Sequence, residues 1–154
     1  MRACITGALA LTLLSSAAQA TDLPPGGFTY EDAVTWLQDR GYQAKMQTLS
    51  DGTKDLTSAV QGTRFHIRLY GCKGDRCDSL QFFAGFATQG KFDAAQMNEW
   101  NYDKRFVKAY IDKTNDPWLT YDIDLSPGGT YELLNDELAT WNALLPAFVK
   151  QYGL

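Results

Sequence analysis

Thr63-Arg-Phe-His-Ile-Arg-Leu-Tyr-Gly-Cys-Lys-Gly-Asp-Arg-Cys-Asp-Ser-Leu-Gln-Phe-Phe-Ala-Gly-Phe-Ala87 decides the fold. Its first third alternates strictly. Phe65, Ile67 and Leu69 fall on one side, Arg64, His66 and Arg68 on the other. A period of two is the signature of a strand with one face buried. Residues 79–87 are apolar on both sides, with Leu80, Phe82 and Phe86 against Phe83 and Ala87, so this second strand belongs in the middle of a sheet or is covered on both faces. Between them, Cys72 and Cys77 flank the turn residues Gly74-Asp75. Two strands joined by so short a turn run antiparallel.

Working outward, the period changes with each turn signal. Upstream, Thr29 is a good N-cap, with Glu31 and Asp32 in the first turn of a helix that Gly41 closes. Tyr30, Ala33, Val34 and Leu37 form its inward stripe. Ala44, Met46 and Thr48 then alternate with polar neighbours. Ser50-Asp51-Gly52 turns the chain into a weaker strand over 54–60, and Gln61-Gly62 turns it again. Downstream, Asp93 caps a short helix over 93–102 that shares Met97 and Trp100 on one face. Strands follow over 105–112, with Val107, Ala109 and Ile111 inward, and over 119–125, where Leu119, Tyr121, Ile123 and Leu125 alternate with polar residues.

The last helix starts at Thr130, after Ser126-Pro-Gly-Gly129. Tyr131, Leu134, Leu138, Trp141, Leu145, Phe148 and Tyr152 repeat at three and four residues, a full heptad stripe. Pro146 predicts a bend, and Leu133, Leu144 and Val149 widen the stripe beyond a coiled-coil seam. The expected arrangement is therefore this helix laid across the sheet of its own chain. A homodimer through the stripe is the alternative, and a monomer is preferred. The fold class is α+β: a twisted antiparallel sheet of five to six strands packed by three helices, in the order α-β-β-β-β-α-β-β-α.

The chain start bears on where the protein works. Arg2, the apolar run Ile5–Leu14 and the small-x-small Ala18-Gln19-Ala20 read as a secretory signal over residues 1–20, cut before Thr21. The run is too short to span a bilayer, and no stable membrane anchor is expected after cleavage. The expected location is periplasmic or secreted. Residues 21–28 read as a short linker, and 29–154 as one domain.

Export in turn decides how the cysteines read. Cys4 leaves with the signal, and an even pair in an oxidising compartment reads as a disulfide between Cys72 and Cys77. Closing so small a loop is worth only about 2 kcal/mol. The rival readings fit less well. A redox-active pair usually has two intervening residues, and a structural zinc site usually needs four ligands.

Composition narrows the function classes. Removal of Arg2 with the leader leaves 13 Lys and Arg against 18 Asp and Glu. That acidic excess argues against nucleic acid as a partner. Eight Phe, eight Tyr and four Trp supply a large core. The chain carries a single histidine, no nucleophile elbow, no phosphate loop and no dinucleotide fingerprint. No catalytic, cofactor-binding or metal-binding residue is assigned, and no cofactor is expected. Asp122 and Asp124 share a strand face and are the one pair suited to acid–base or cation chemistry, although such alternation usually means a solvated face. Arg64, His66 and Arg68 can receive an acidic ligand or peptide, or pair across strands with carboxylates such as Asp122.

One further segment carries information: Met97-Asn-Glu-Trp-Asn-Tyr-Asp-Lys-Arg-Phe-Val-Lys-Ala-Tyr110. Trp100 can anchor the middle helix, Asn101 can take the left-handed turn at its end, and Arg105 can bond exposed carbonyls there. Alternatively, the three rim a groove for a peptide. The Trp100-Asn101 pair, Arg105-Phe106, Ala109-Tyr110, the Asp122-x-Asp124-Leu125 strand ending in Gly128-Gly129, and Cys72…Cys77-Asp-Ser-Leu80 together resemble the YbjN-domain family, above all its exported members with a cysteine pair. The resemblance covers nearly the whole chain after the leader. It implies a fold similar to type III secretion chaperones and a role in bacterial sensory transduction. It implies no reaction and brings no catalytic residues. The expected function is thus an exported non-enzymatic binding or chaperone-like, regulatory module of the YbjN type with a protein or peptide partner. A small periplasmic hydrolase or metal-dependent enzyme using Asp122 and Asp124 is the alternative.

Overall fold

A computed structural model describes residues 20–154. The leader expected over residues 1–20 therefore lies, Ala20 apart, outside the described residues. The element order is α1 (Tyr30–Asp39), β1 (Lys45–Thr48), β2 (Lys54–Val60), β3 (Thr63–Tyr70), β4 (Ser79–Gly85), α2 (Ala94–Asp103), β5 (Lys108–Ile111), β6 (Pro117–Asp124) and α3 (Tyr131–Tyr152). All six strands pair antiparallel in one open sheet, ordered β1-β2-β3-β4-β6-β5. The last hairpin is thus reversed, placing β6 beside β4 and sending β5 to the edge.

Local chemistry starts each helix. Thr29 and Asp32 form a reciprocal capping box on α1, and Asp93 and Gln96 do the same on α2. The Thr130 hydroxyl accepts the Leu133 N–H at the head of α3, and Gly153 ends that helix in the left-handed conformation. Pro146 lies inside α3, which continues past it to Tyr152.

The core lies between one face of the sheet and helices α1 and α3. Leu56, Phe65, Ile67, Leu80, Phe82 and Leu119 from the sheet are fully buried with Trp36, Trp141, Leu145 and Phe148 from the helices. The Trp141 ring lies 5.8 Å from Phe65 and 5.7 Å from Phe82, and Trp36 stacks on Phe82 at 6.5 Å. The heptad stripe of α3 is consumed within its own chain. Its five central members, Leu134, Leu138, Trp141, Leu145 and Phe148, are all buried there.

Several strand boundaries differ from expectation. The strand expected over 119–125 runs Pro117–Asp124. The strand expected over 105–112 begins at Lys108, because Phe106 takes a left-handed backbone (φ 74°) that no strand accommodates. The strand expected over 79–87 ends at Gly85. Residues 21–28, read as a short linker, lie against the domain. The Leu23 N–H donates to Gly129, the Tyr131 N–H to Thr21, and Phe28 exchanges both backbone bonds with Cys77. Phe28 is fully buried between the Trp36 and Tyr131 rings. Gly27 permits this close approach, since a Cβ there would sit 2.4 Å from the Cys77 carbonyl oxygen. Cys72 and Cys77 are bonded, with their Cα atoms 3.8 Å apart, and the bridge holds the hairpin that Phe28 pairs with.

Candidate functional site

Because α1 and α3 pack on one side, the alternate side chains of every strand face outward on the other. This open face is not simply polar. Asp55 on β2 is buried, and its carboxylate accepts from His66 Nδ1 at 3.0 Å and from Gln47 Nε2 at 3.1 Å. A carboxylate only accepts, so the ring hydrogen of His66 sits on Nδ1. The oriented imidazole stacks on Phe83 at 5.0 Å, and the Arg68 guanidinium lies over the same ring at 4.9 Å. Phe83 continues into Trp118 at 6.2 Å, and Trp118 into Tyr110 at 6.5 Å. A row of aromatic rings therefore crosses from β3 to the β5 edge. Gly85 makes room for it, because a Cβ there would meet the Trp118 indole at 2.7 Å.

The two ends of the face differ in charge. Beside β1, a depression of about 620 Å³ is lined by Gln43, Lys45, Gln47, Thr57, Arg64 and His66 among others, and by no carboxylate. Beside the C-terminal half of β6, a depression of about 840 Å³ is lined by Tyr70, Asp78, Gln81, Asp122 and Asp124 among others. Asp122 accepts from Gln81 Nε2 and lies 3.7 Å from Lys108 Nζ. Asp124 accepts the Ser126 N–H at 3.0 Å. No third His, Cys, Asp or Glu joins them in a group able to hold a metal ion, among the described residues.

The sequence-derived candidates thus separate into two places. Arg64, His66 and Arg68 lie together on the open face. The carboxylate that pairs with His66 is Asp55, not Asp122, because β2 is the neighbour of β3 on that side and β6 lies beyond β4. Trp100, Asn101 and Arg105 sit at the opposite edge of the sheet. Trp100 is fully buried against Phe148 at 5.0 Å and anchors α2 to α3. Asn101, expected to end the helix, lies inside α2 and acts on β5 instead. Its Nδ2 donates to the Ala109 carbonyl at 2.9 Å, and its Oδ1 accepts the Ala109 N–H at 2.8 Å. The side-chain amide thereby takes the place of a neighbouring strand. The Arg105 guanidinium lies over the Phe106 ring at 5.0 Å.

Three residues of the site were invisible to periodicity: Asp55, Phe83 as a ring carrier, and Trp118. The available signal was an aromatic residue at outward-facing positions of successive strands, Phe83, Tyr110 and Trp118, where polar residues are the rule.

The β5–β6 turn holds the far end of the row. Asp112 accepts from the Thr114 hydroxyl, the Asp116 N–H and the Trp118 indole N–H. These bonds, the Thr114 hydroxyl first, hold its carboxyl at about 2. Asp116 is likewise lowered, chiefly by the Thr88 N–H and hydroxyl. On the helix side, burial first, then the Glu137 carboxylate that its hydroxyl donates to, push Tyr121 far above the usual phenol range.

An open antiparallel sheet has its helices on one face and an ordered aromatic and basic surface on the other, which defines an α+β domain. A family model covering residues 34–151 matches the chain, under the description "Putative bacterial sensory transduction regulator", and the chain belongs to this family, YbjN. No curated protein and no solved structure matches it.

Proposed function

We propose that the protein is an exported, non-enzymatic binding module of the YbjN type, which engages a protein or peptide partner through the open face of its sheet. The observation that carries this reading is the ring row His66–Phe83–Trp118–Tyr110, oriented by a buried carboxylate on a face that no helix covers. A solvated sheet face needs no such order. A hydrogen-bonded buried carboxylate costs desolvation, so a surface that retains one to aim a ring has a geometry to keep. Aromatic and arginine side chains are also those that carry most binding energy at interfaces.

Export rests on the leader reading. N-terminal sequencing of the protein from the cell envelope should begin at Thr21 or within a residue or two, and an uncleaved protein in the cytoplasm would refute it. The binding face is tested by photo-crosslinking in cells. A crosslinker at Tyr70 or Tyr110, both part-exposed on the open face, should capture a discrete partner. One at Tyr102, which is 91% exposed on α2, should not. Capture at Tyr102 alone would move the site to the helices.

A further inference from the structure

The sheet has two edges, and they are treated differently. At β5 the outward N–H and C=O of Ala109 are both occupied by the Asn101 amide, and α2 lies alongside. At β1 nothing comparable exists among the described residues. Lys45–Thr48 pair only with β2, no strand lies beyond them, and all four residues are exposed. An edge of this kind offers unpaired backbone donors and acceptors to another extended chain.

The two faces beside that edge say what such a chain must carry. On the open face, the depression next to β1 presents Lys45, Arg64 and His66, with Gln43, Gln47 and Thr57, and no carboxylate lines it. Lys45 and Arg64 enter no ion pair among the described residues, although the chain as a whole is acidic. On the helix face, Met46 stands 40% exposed at the rim of the core. Side chains of an added strand alternate between the two faces. Directly opposite residues approach within about 5 Å of one another.

We infer that β1 is a strand-addition site for an extended acidic peptide segment of a protein partner, with Asp or Glu on the alternate residues beside Lys45 and Gln47, extending into the depression that Arg64 lines from β3, and apolar residues between them covering Met46. This deepens the binding reading above and rests on it. Main-chain bonds to β1 supply affinity. The free cations select the acidic face and reject basic segments. Gln47 belongs to both parts, since it sits on β1 and also holds Asp55 beneath His66.

The probe is a fluorescent peptide of alternating Glu and Val, followed by anisotropy against the protein from Thr21 onward. Saturable binding that weakens with added salt is expected. A peptide of alternating Lys and Val should not bind. The Lys45→Glu/Arg64→Glu double variant should bind roughly tenfold more weakly or worse. Arg105→Glu, at the other edge, should leave binding unchanged. Alternate backbone N-methylation of the peptide removes its donors while keeping its charges, and should abolish binding. Thermal melts of each variant confirm that the fold is kept. Amide shifts on adding peptide should concentrate on residues 45–48. No saturable binding, full binding by the double variant, or full binding of the N-methylated peptide would each overturn strand addition at β1. If these arms fail while the crosslinks at Tyr70 or Tyr110 persist, the open face still binds a partner and only the β1 assignment falls.

Discussion

At the scale of the residue, most of the chemistry here is the satisfaction of polar groups. Asp112 shows it most clearly. Its two oxygens accept from a hydroxyl, a backbone N–H and an indole N–H, so the ionised form is favoured and the carboxyl stays at about 2, well below the ordinary value. A depressed carboxyl stabilises the fold above its unfolded pKa of about 3.9. That contribution is lost as pH falls toward 2, when the folded form also takes up its proton. The Asp112 side-chain carbon, followed by NMR, should therefore titrate with a midpoint near 2. Asp112→Asn should flatten the acid limb of the stability profile between those two values. A midpoint near 4 would mean that the turn does not hold its bonds in solution. Because the same carboxylate holds the Trp118 indole, the variant should also loosen the outer end of the ring row.

At the scale of the element, α3 is the main test of the core. Trp141 is fully buried between Phe65 and Phe82. Trp141→Ala should cost about 3 to 5 kcal/mol as a truncation that leaves a cavity, a large part of the stability of one domain. Denaturant melts read the loss. A folded, monomeric variant derived from a dimeric parent would instead make the stripe an intersubunit seam. The cysteine hairpin is a smaller element. Intact mass of the native protein should lie two hydrogens below that of the same chain with free thiols, and replacing Cys72 and Cys77 by Ser should lower stability by about 1 to 3 kcal/mol without loss of fold. Free thiols in protein taken directly from the envelope would contradict the bridge.

The elements were readable because their signals are local. Caps at Thr29, Asp93 and Thr130 and the three-four stripe of α3 lie within a few residues of what they specify. What escaped was everything set by strand order. Which carboxylate meets His66 depends on β2 lying next to β3, and the opposite position of Asp122 depends on the reversed last hairpin. The second is written in no window of neighbouring residues, and the first needs the register across the Gln61-Gly62 turn, which sets Asp55 diagonally beside His66. Asn101 was misplaced for the same reason. Its partner, Ala109, is brought to it by the fold, and Phe106 takes the left-handed turn that Asn101 was expected to supply.

At the scale of the whole molecule, the two edges determine how copies of this chain can associate. In the language of polymer chemistry, a monomer with one reactive end can only pair, whereas one with two grows without limit. The native domain has functionality one. β1 is bare but short and carries Lys45, and β5 is terminated by the Asn101 amide. Asn101→Ala removes the terminator, costing about 1 to 3 kcal/mol for the stranded Ala109 groups, and raises the functionality to two. A β5 edge of one copy can then meet the β1 edge of the next in a contact that does not close on itself. Purified Asn101→Ala should accordingly grow in light scattering and bind thioflavin well below its melting temperature, with growth that scales steeply with concentration. A variant that merely melts earlier while keeping the size of its parent would show that the amide stabilises β5 without limiting assembly. Adding Lys substitutions along β1 to the same variant should return it to functionality one, so the side chain of a single asparagine acts as the chain stopper of the molecule.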